Sequence, residues 1–166
     1  MRLEWRAANS ILRAACLENM KGGLVMGEEH KNVCICQDLQ QLLEEQKKLS
    51  LDEFRFINKE LGYDTIPFIL STGNCQFEAF GWTNNGDFFT TNVFRLEALD
   101  EKRCCATVSL LEPIDIDGCP VDLCENFFSL RTTMNCIIVD LTCFTSIQAL
   151  SPRLVNRILP IIDPKC

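Results

Sequence analysis

The sequence predicts a mostly β protein, an antiparallel β-sandwich or barrel-like domain with two short N-terminal helices. The 166 residues are enough for one packed domain. Hydrophobic residues at 47% and charged residues at 23% match a globular composition. After residue 62, short apolar segments alternate with Gly and Asn turn signals, a spacing typical of antiparallel sheets. No apolar run approaches the roughly 18 residues of a membrane-spanning helix, so no membrane span is expected.

Both predicted helices lie in the N-terminal part of the chain. A capping-box pattern begins at Asp38, and the leucines that follow it share one helical face. This pattern predicts a helix over residues 38–49. A second capping box at Ser50 precedes apolar residues at helical spacing and predicts a helix over 51–61, which Gly62 would end.

The predicted strands are short apolar runs or runs that alternate polar and apolar residues. Gly73-Asn74 and the segment from Asn84 to Asp87 are turn signals between them, and a loop is expected from about 115 to 133. The strands are expected at 66–71, 76–80, 93–99, 104–111 and 136–141.

The first 25 residues differ from the rest of the chain in charge. They carry four basic and two acidic side chains, whereas the chain from Met26 onward carries 12 basic and 21 acidic ones. Lys21-Gly22-Gly23 can be encoded by a ribosome-binding sequence correctly spaced before Met26, so we expect 1–25 to be a non-native or disordered leader. A short amphipathic leader helix is the alternative. The predicted organisation is this leader, an N-terminal helical segment at 26–62 and a β-rich assembly domain at 63–166.

Charge and histidine content disfavour several classes of function. A net charge of −7 is unfavourable for binding to nucleic acid, so no nucleic-acid partner is expected. The single histidine, His30, leaves little chemistry for a His-based catalytic triad. His30 with Cys34 and Cys36 would begin a zinc site, but no second ligand pair follows at the usual spacing. Asp115 to Gly118 resembles part of a calcium loop, but its glycine comes fourth rather than sixth, which favours a turn. We therefore expect no enzyme activity, no metal and no cofactor.

Cysteine is the anomaly of the composition. Eleven cysteines are typical of a secreted disulfide scaffold, yet the N-terminus lacks the apolar core of a signal peptide. The chain therefore has the features of a protein made in a reducing cytosol and equipped for an oxidising destination. Cys104 and Cys105 lie on one predicted strand, so we expect their side chains to point to opposite faces and to have different partners.

Five blocks of sequence follow one another in the order Ile66–Leu70, Phe77–Phe80, Val93–Glu97, Cys105–Leu111 and Cys136–Phe144 with Ile147-Gln148. Together they resemble the CotY/CotZ/ExsY family of cysteine-rich spore coat and exosporium proteins. The resemblance covers about residues 30 to 157, and its last block is the most specific. That family usually has cysteines where this chain has Thr145 and Ala149, so two of its cross-link positions are missing here.

The resemblance implies a structural protein that is made in the mother-cell cytoplasm and located in a spore surface layer (coat, crust or exosporium). Such proteins self-assemble into hexameric rings and a two-dimensional hexagonal lattice, which disulfides then reinforce. The implied partners are further copies of the chain and other spore coat or exosporium proteins. This would resolve the conflict of compartments, because the thiols would oxidise only after synthesis. The alternatives are an adaptor that tethers other coat proteins, and a thiol- or zinc-dependent enzyme.

If such a lattice forms, the cysteines fall into two groups according to whether they can approach a neighbouring subunit. A thiol that joins subunits must lie on a segment able to approach a neighbour within about 6 Å between Cα atoms. We expect intermolecular disulfides at cysteines before the first helix, in the long loop or at the C-terminus, namely Cys34, Cys36, Cys119, Cys124 and Cys166. We expect internal or buried positions for the cysteines on or beside strands, namely Cys75, Cys104, Cys105, Cys136 and Cys143.

Overall fold

A computed structural model describes residues 35–50, 63–83, 85–123 and 125–160. These ranges contain one α-helix, α1, and eight β-strands. The helix spans Ile35–Ser50, and the strands are β1 (Phe68–Thr72), β2 (Cys75–Gln76), β3 (Ala79–Trp82), β4 (Phe88–Thr91), β5 (Phe94–Asp100), β6 (Cys105–Ile114), β7 (Ser129–Asp140) and β8 (Ser146–Ala149).

Six of the strands form one antiparallel sheet. Its order is β2-β1-β5-β6-β7, and β8 pairs with the other edge of β1. The sheet curls like half of a barrel, while β3 and β4 form a separate hairpin. The predicted antiparallel β class is confirmed, but the predicted sandwich is not. Among the described residues, a helix, a hairpin and irregular segments cover the faces of this sheet, and no second large sheet does.

Helix α1 confirms the first predicted helix but begins three residues earlier than expected. Ile35 and Cys36 are buried together with Leu39 and Leu42, so the apolar face extends one turn towards the N-terminus. Asp38 therefore lies in the first turn of the helix, where its charge is favourable, and not at the cap. The second predicted helix, 51–61, lies outside the described residues.

Gln46 joins the helix to the sheet through two buried hydrogen bonds. Its side-chain Nε2 donates to the Leu96 carbonyl at 2.8 Å, and its Oε1 accepts from the Ile66 backbone N–H at 3.1 Å. The side chain is only 5% exposed, so both of its polar ends are satisfied within the protein. One polar residue on the apolar face of the helix thus fixes the position of α1 against β5.

The sheet has an apolar core on each face. Adjacent residues of a strand point to opposite faces, and the neighbours Leu110 and Leu111 in β6 enter different cores. We call the face under α1 the inner face; its core includes Phe68, Phe94 and Leu96. The outer face carries a smaller core under the C-terminal segment, formed by Val93, Leu111, Leu130 and Val155.

The strand predictions are right in position and differ in extent. The predicted strand 76–80 is divided into β2 and β3, because the Phe77 N–H bonds to the Leu70 carbonyl and its ring turns into the inner core. The loop expected to reach 133 ends earlier, since β7 begins at Ser129. Strands β4 and β8 were not predicted. The sequence of Phe88–Thr91 does not alternate polar and apolar residues, and Ser146–Ala149 is a short polar segment.

Candidate functional site

The cysteines are the candidate functional groups, and the first pair closes within the chain. Cys36 in the first turn of α1 is bonded to Cys104, with a Cα–Cα distance of 5.9 Å. Cys104 does not lie on a strand as expected; it is in the turn before β6, with a left-handed φ of 51°. The expectation of an intersubunit role for Cys36 is therefore corrected. Its apolar helix face buries it, and its sulfur is already used inside the protomer.

Three described cysteines are free thiols. Cys75 and Cys136 are exposed, and Cys105 is half-buried with its Sγ 3.4 Å from the Arg103 carbonyl. The expectation that Cys75 and Cys136 are internal is thus corrected. Both residues of the short β2 are exposed, and Cys136 falls on the outward positions of β7, whose exposure alternates along the strand.

Some of the remaining cysteines form disulfides, and the others lie outside the described residues. Cys119 and Cys143 are also disulfide-bonded. Cys16, Cys34, Cys124 and Cys166 lie outside the described residues. Next to Cys119, the Asp115 carboxylate accepts the backbone N–H groups of Asp117 and Cys119, both at 2.9 Å. Asp115 therefore closes a turn, as its sequence context predicted.

Large apolar side chains are exposed at two places. On the β3–β4 hairpin, the Phe88 ring contacts the Phe80 and Trp82 rings, with centroids 5.3 and 6.0 Å apart, and each of these residues is more than half exposed. On the outer face of β7, Met134 is 94% and Ile138 74% exposed. Exposed apolar clusters of this kind are typical of surfaces that bind another macromolecule.

The described residues contain no group of three side chains that is suited to hold a metal ion. In the same part of the chain, no helix has the length and apolar character needed to cross a bilayer.

The Cys36–Cys104 bond should contribute stability without being required for folding. It closes a separation of 68 residues, for which the loss of unfolded-state entropy corresponds to about 4 kcal/mol. We expect the double variant Cys36→Ala/Cys104→Ala to unfold cooperatively at a lower urea midpoint, because the two apolar cores remain. Urea titration followed by tryptophan fluorescence measures the change.

The matched control is Cys75→Ala, which removes an exposed thiol that forms no disulfide. Its urea midpoint should equal that of the parent. A double variant that is unfolded in buffer without urea would show that this bond is a condition of folding.

Comparison with known proteins gives the family of the chain. The family model described as Spore coat protein Z matches residues 24–152. Spore coat protein Z of Bacillus subtilis (strain 168) is 37% identical over 131 residues, which cover 73% of this chain and 86% of that protein. No solved structure matches the chain significantly. The resemblance read from the sequence is thereby confirmed: the chain belongs to the spore coat protein Z family and is a structural protein of the spore coat.

Proposed function

We propose that the protein is a self-assembling subunit of the spore coat, which forms a two-dimensional lattice of hexameric rings reinforced by disulfides between subunits. One observation carries the proposal: the exposed thiol of Cys136 lies between the exposed apolar side chains of Met134 and Ile138 on one strand. An apolar contact at this place would bring a thiol of one subunit to the surface of its neighbour.

Assembly and cross-linking are separate steps in this proposal. Each protomer has its own buried core on both faces of the sheet, so it is folded before it meets a neighbour. Contacts that are weak singly become strong together when every subunit has several neighbours in a closed arrangement. Disulfides formed afterwards make the layer resistant to denaturants without determining its geometry.

The net charge supports apolar contacts as the driving force. Each chain carries −7, so identical copies repel one another unless their contact surfaces are uncharged. The aromatic cluster of the hairpin and the segment of β7 between Thr132 and Val139 are such surfaces.

Electron microscopy of the purified full chain, with and without a thiol reductant, tests the proposed function. We expect ordered two-dimensional arrays in both conditions, because the assembly contacts are non-covalent. Only the unreduced arrays should survive heating in denaturant. A chain that stays monomeric in both conditions contradicts the proposal.

An adaptor that tethers other coat proteins is the second candidate, and the Phe80, Trp82 and Phe88 cluster favours it. Such an exposed aromatic surface can bind a different protein as well as a second copy. The two functions differ in the same experiment, since an adaptor alone forms no array.

A further inference from the structure

At the edge of the sheet, no described residue pairs with part of the backbone of strand β7. The Leu141 N–H donates to the Cys104 carbonyl on the β6 side at 2.9 Å. Backbone groups alternate in direction along an antiparallel strand, and Cys136 and Ile138 keep the same register against β6. Their N–H and C=O groups therefore point away from β6. Within the part of the chain that the structure describes, no strand pairs with this side of β7.

The other half of the same edge is closed by the chain itself. Val155 forms a bridge with Leu130, and the Asn156 N–H donates to the Leu130 carbonyl at 2.9 Å. The Asn156 side chain also accepts the Thr132 N–H at 3.2 Å. The register against β6 then shifts before Cys136, and this bulge separates the closed half from the open half.

The exposed side chains from Met134 to Ile138 in the open half are uncharged. Met134, Cys136 and Ile138 are exposed on the outer face, and no charged residue occurs between Thr132 and Val139. Natural proteins usually protect an exposed edge strand with charges or by making it short. The opposite edge, β8, is protected in this way, since it has four residues and exposes Ser146 and Gln148.

We propose that this edge of β7 pairs antiparallel with the same edge of a second copy, about a two-fold axis at Cys136; the inference rests on the proposed self-assembly and names one of its contacts. In this register, Met134 faces the second copy's Ile138, and the pairing ends before Thr132, whose N–H is already bound by Asn156. We infer that the partner is a second copy of the chain, because apolar residues flank Cys136 on both sides and face each other when two copies pair about it. The uncharged segment is also where two chains of net charge −7 repel each other least.

The register brings the two Cys136 thiols within disulfide reach. Directly opposed residues of a hydrogen-bonded antiparallel pair have Cα atoms about 5.5 Å apart, and disulfides span about 4.4–6.8 Å. A low-molecular-weight disulfide supplies the oxidant. One Cys136 thiolate attacks it and releases one small thiol, and the second Cys136 thiolate attacks the mixed disulfide and releases the other. One S–S bond of the small molecule is thus exchanged for one between subunits.

The purified full chain is incubated with oxidised and reduced glutathione, and the peptide linked through two Cys136 residues is quantified by mass spectrometry of the unreduced digest. The Ile138→Lys variant should lower the yield of this peptide at least tenfold, because it places a charged ammonium group against the second copy's Met134 in an apolar contact. Ile158→Lys is the matched control. It makes the same substitution at an 89% exposed position outside β7, and its yield should equal that of the parent.

The outcomes separate the inference from the proposed function. Arrays without the linked peptide, or equal yields from both lysine variants, overturn the β7 contact and leave the lattice standing. Linked dimers without arrays support the β7 contact and overturn the lattice. Urea titration of both variants confirms that each is folded. The Cys136→Ser variant should still pair at this edge, so its dimers should dissociate in denaturant without reductant.

Discussion

Replacement of Phe94 by alanine is expected to destabilise the protein by about 3–5 kcal/mol, which is a large part of the stability of a domain of this size. Phe94 is fully buried where β5 meets β1, and it pairs across the sheet with Phe68. Its ring lies 6.3 Å from the Phe68 ring and 5.5 Å from the Phe77 ring, measured between centroids. The truncation leaves a cavity among rigid strands that cannot collapse to fill it.

Phe88→Ala is the matched control for this prediction. Phe88 is 57% exposed on the hairpin, so the same chemical change should cost less than about 1 kcal/mol. If Phe94→Ala does not fold, Phe94→Leu should fold and lose about 1–2 kcal/mol, because most of the volume is kept. Equal urea midpoints for the two alanine variants would show that the inner core does not extend to Phe94.

Replacement of Arg131 by methionine is expected to cost about 3 kcal/mol, because it leaves a buried carboxylate without its counter-charge. Arg131 and Glu112 are opposite each other in β7 and β6, and the Arg131 Nε donates to the Glu112 Oε2 at 2.8 Å. The Glu112 side chain is 3% exposed, whereas that of Arg131 is 44% exposed. Within the described residues, the second carboxylate oxygen of Glu112 has no hydrogen-bond partner. The bond to Arg131 is therefore the main interaction that stabilises the buried Glu112 carboxylate among the described residues.

Two variants define the origin of the effect. Arg153→Met makes the same substitution at an exposed position and should change the urea midpoint little. Adding Glu112→Leu to Arg131→Met removes the buried charge itself and should restore most of the lost stability. A double variant as unstable as the single one would locate the loss in the packing of the Arg131 side chain and not in its charge.

Features that depend on neighbouring residues could be predicted from the sequence. Helix α1 follows from leucines at helical spacing, and β5 and β6 follow from short apolar runs between turns. The capping pattern did not define the first residue of the helix. Ile35 and Cys36 join it because a sheet is present to bury them. Strand β8 was missed for a similar reason, since its polar residues form a strand only beside β1.

The sequence by itself determined the antiparallel β class, the first helix and the family, because each depends on short segments that carry their pattern wherever they are placed. Only the tertiary structure decided the roles of the cysteines. Whether a sulfur is bonded or exposed depends on what reaches it in space. Cys36 meets Cys104, 68 residues away, whereas Cys136 lies on a strand with no described neighbour at its outer edge. Burial and pairing of these thiols are properties of the folded sheet, and no local pattern encodes them.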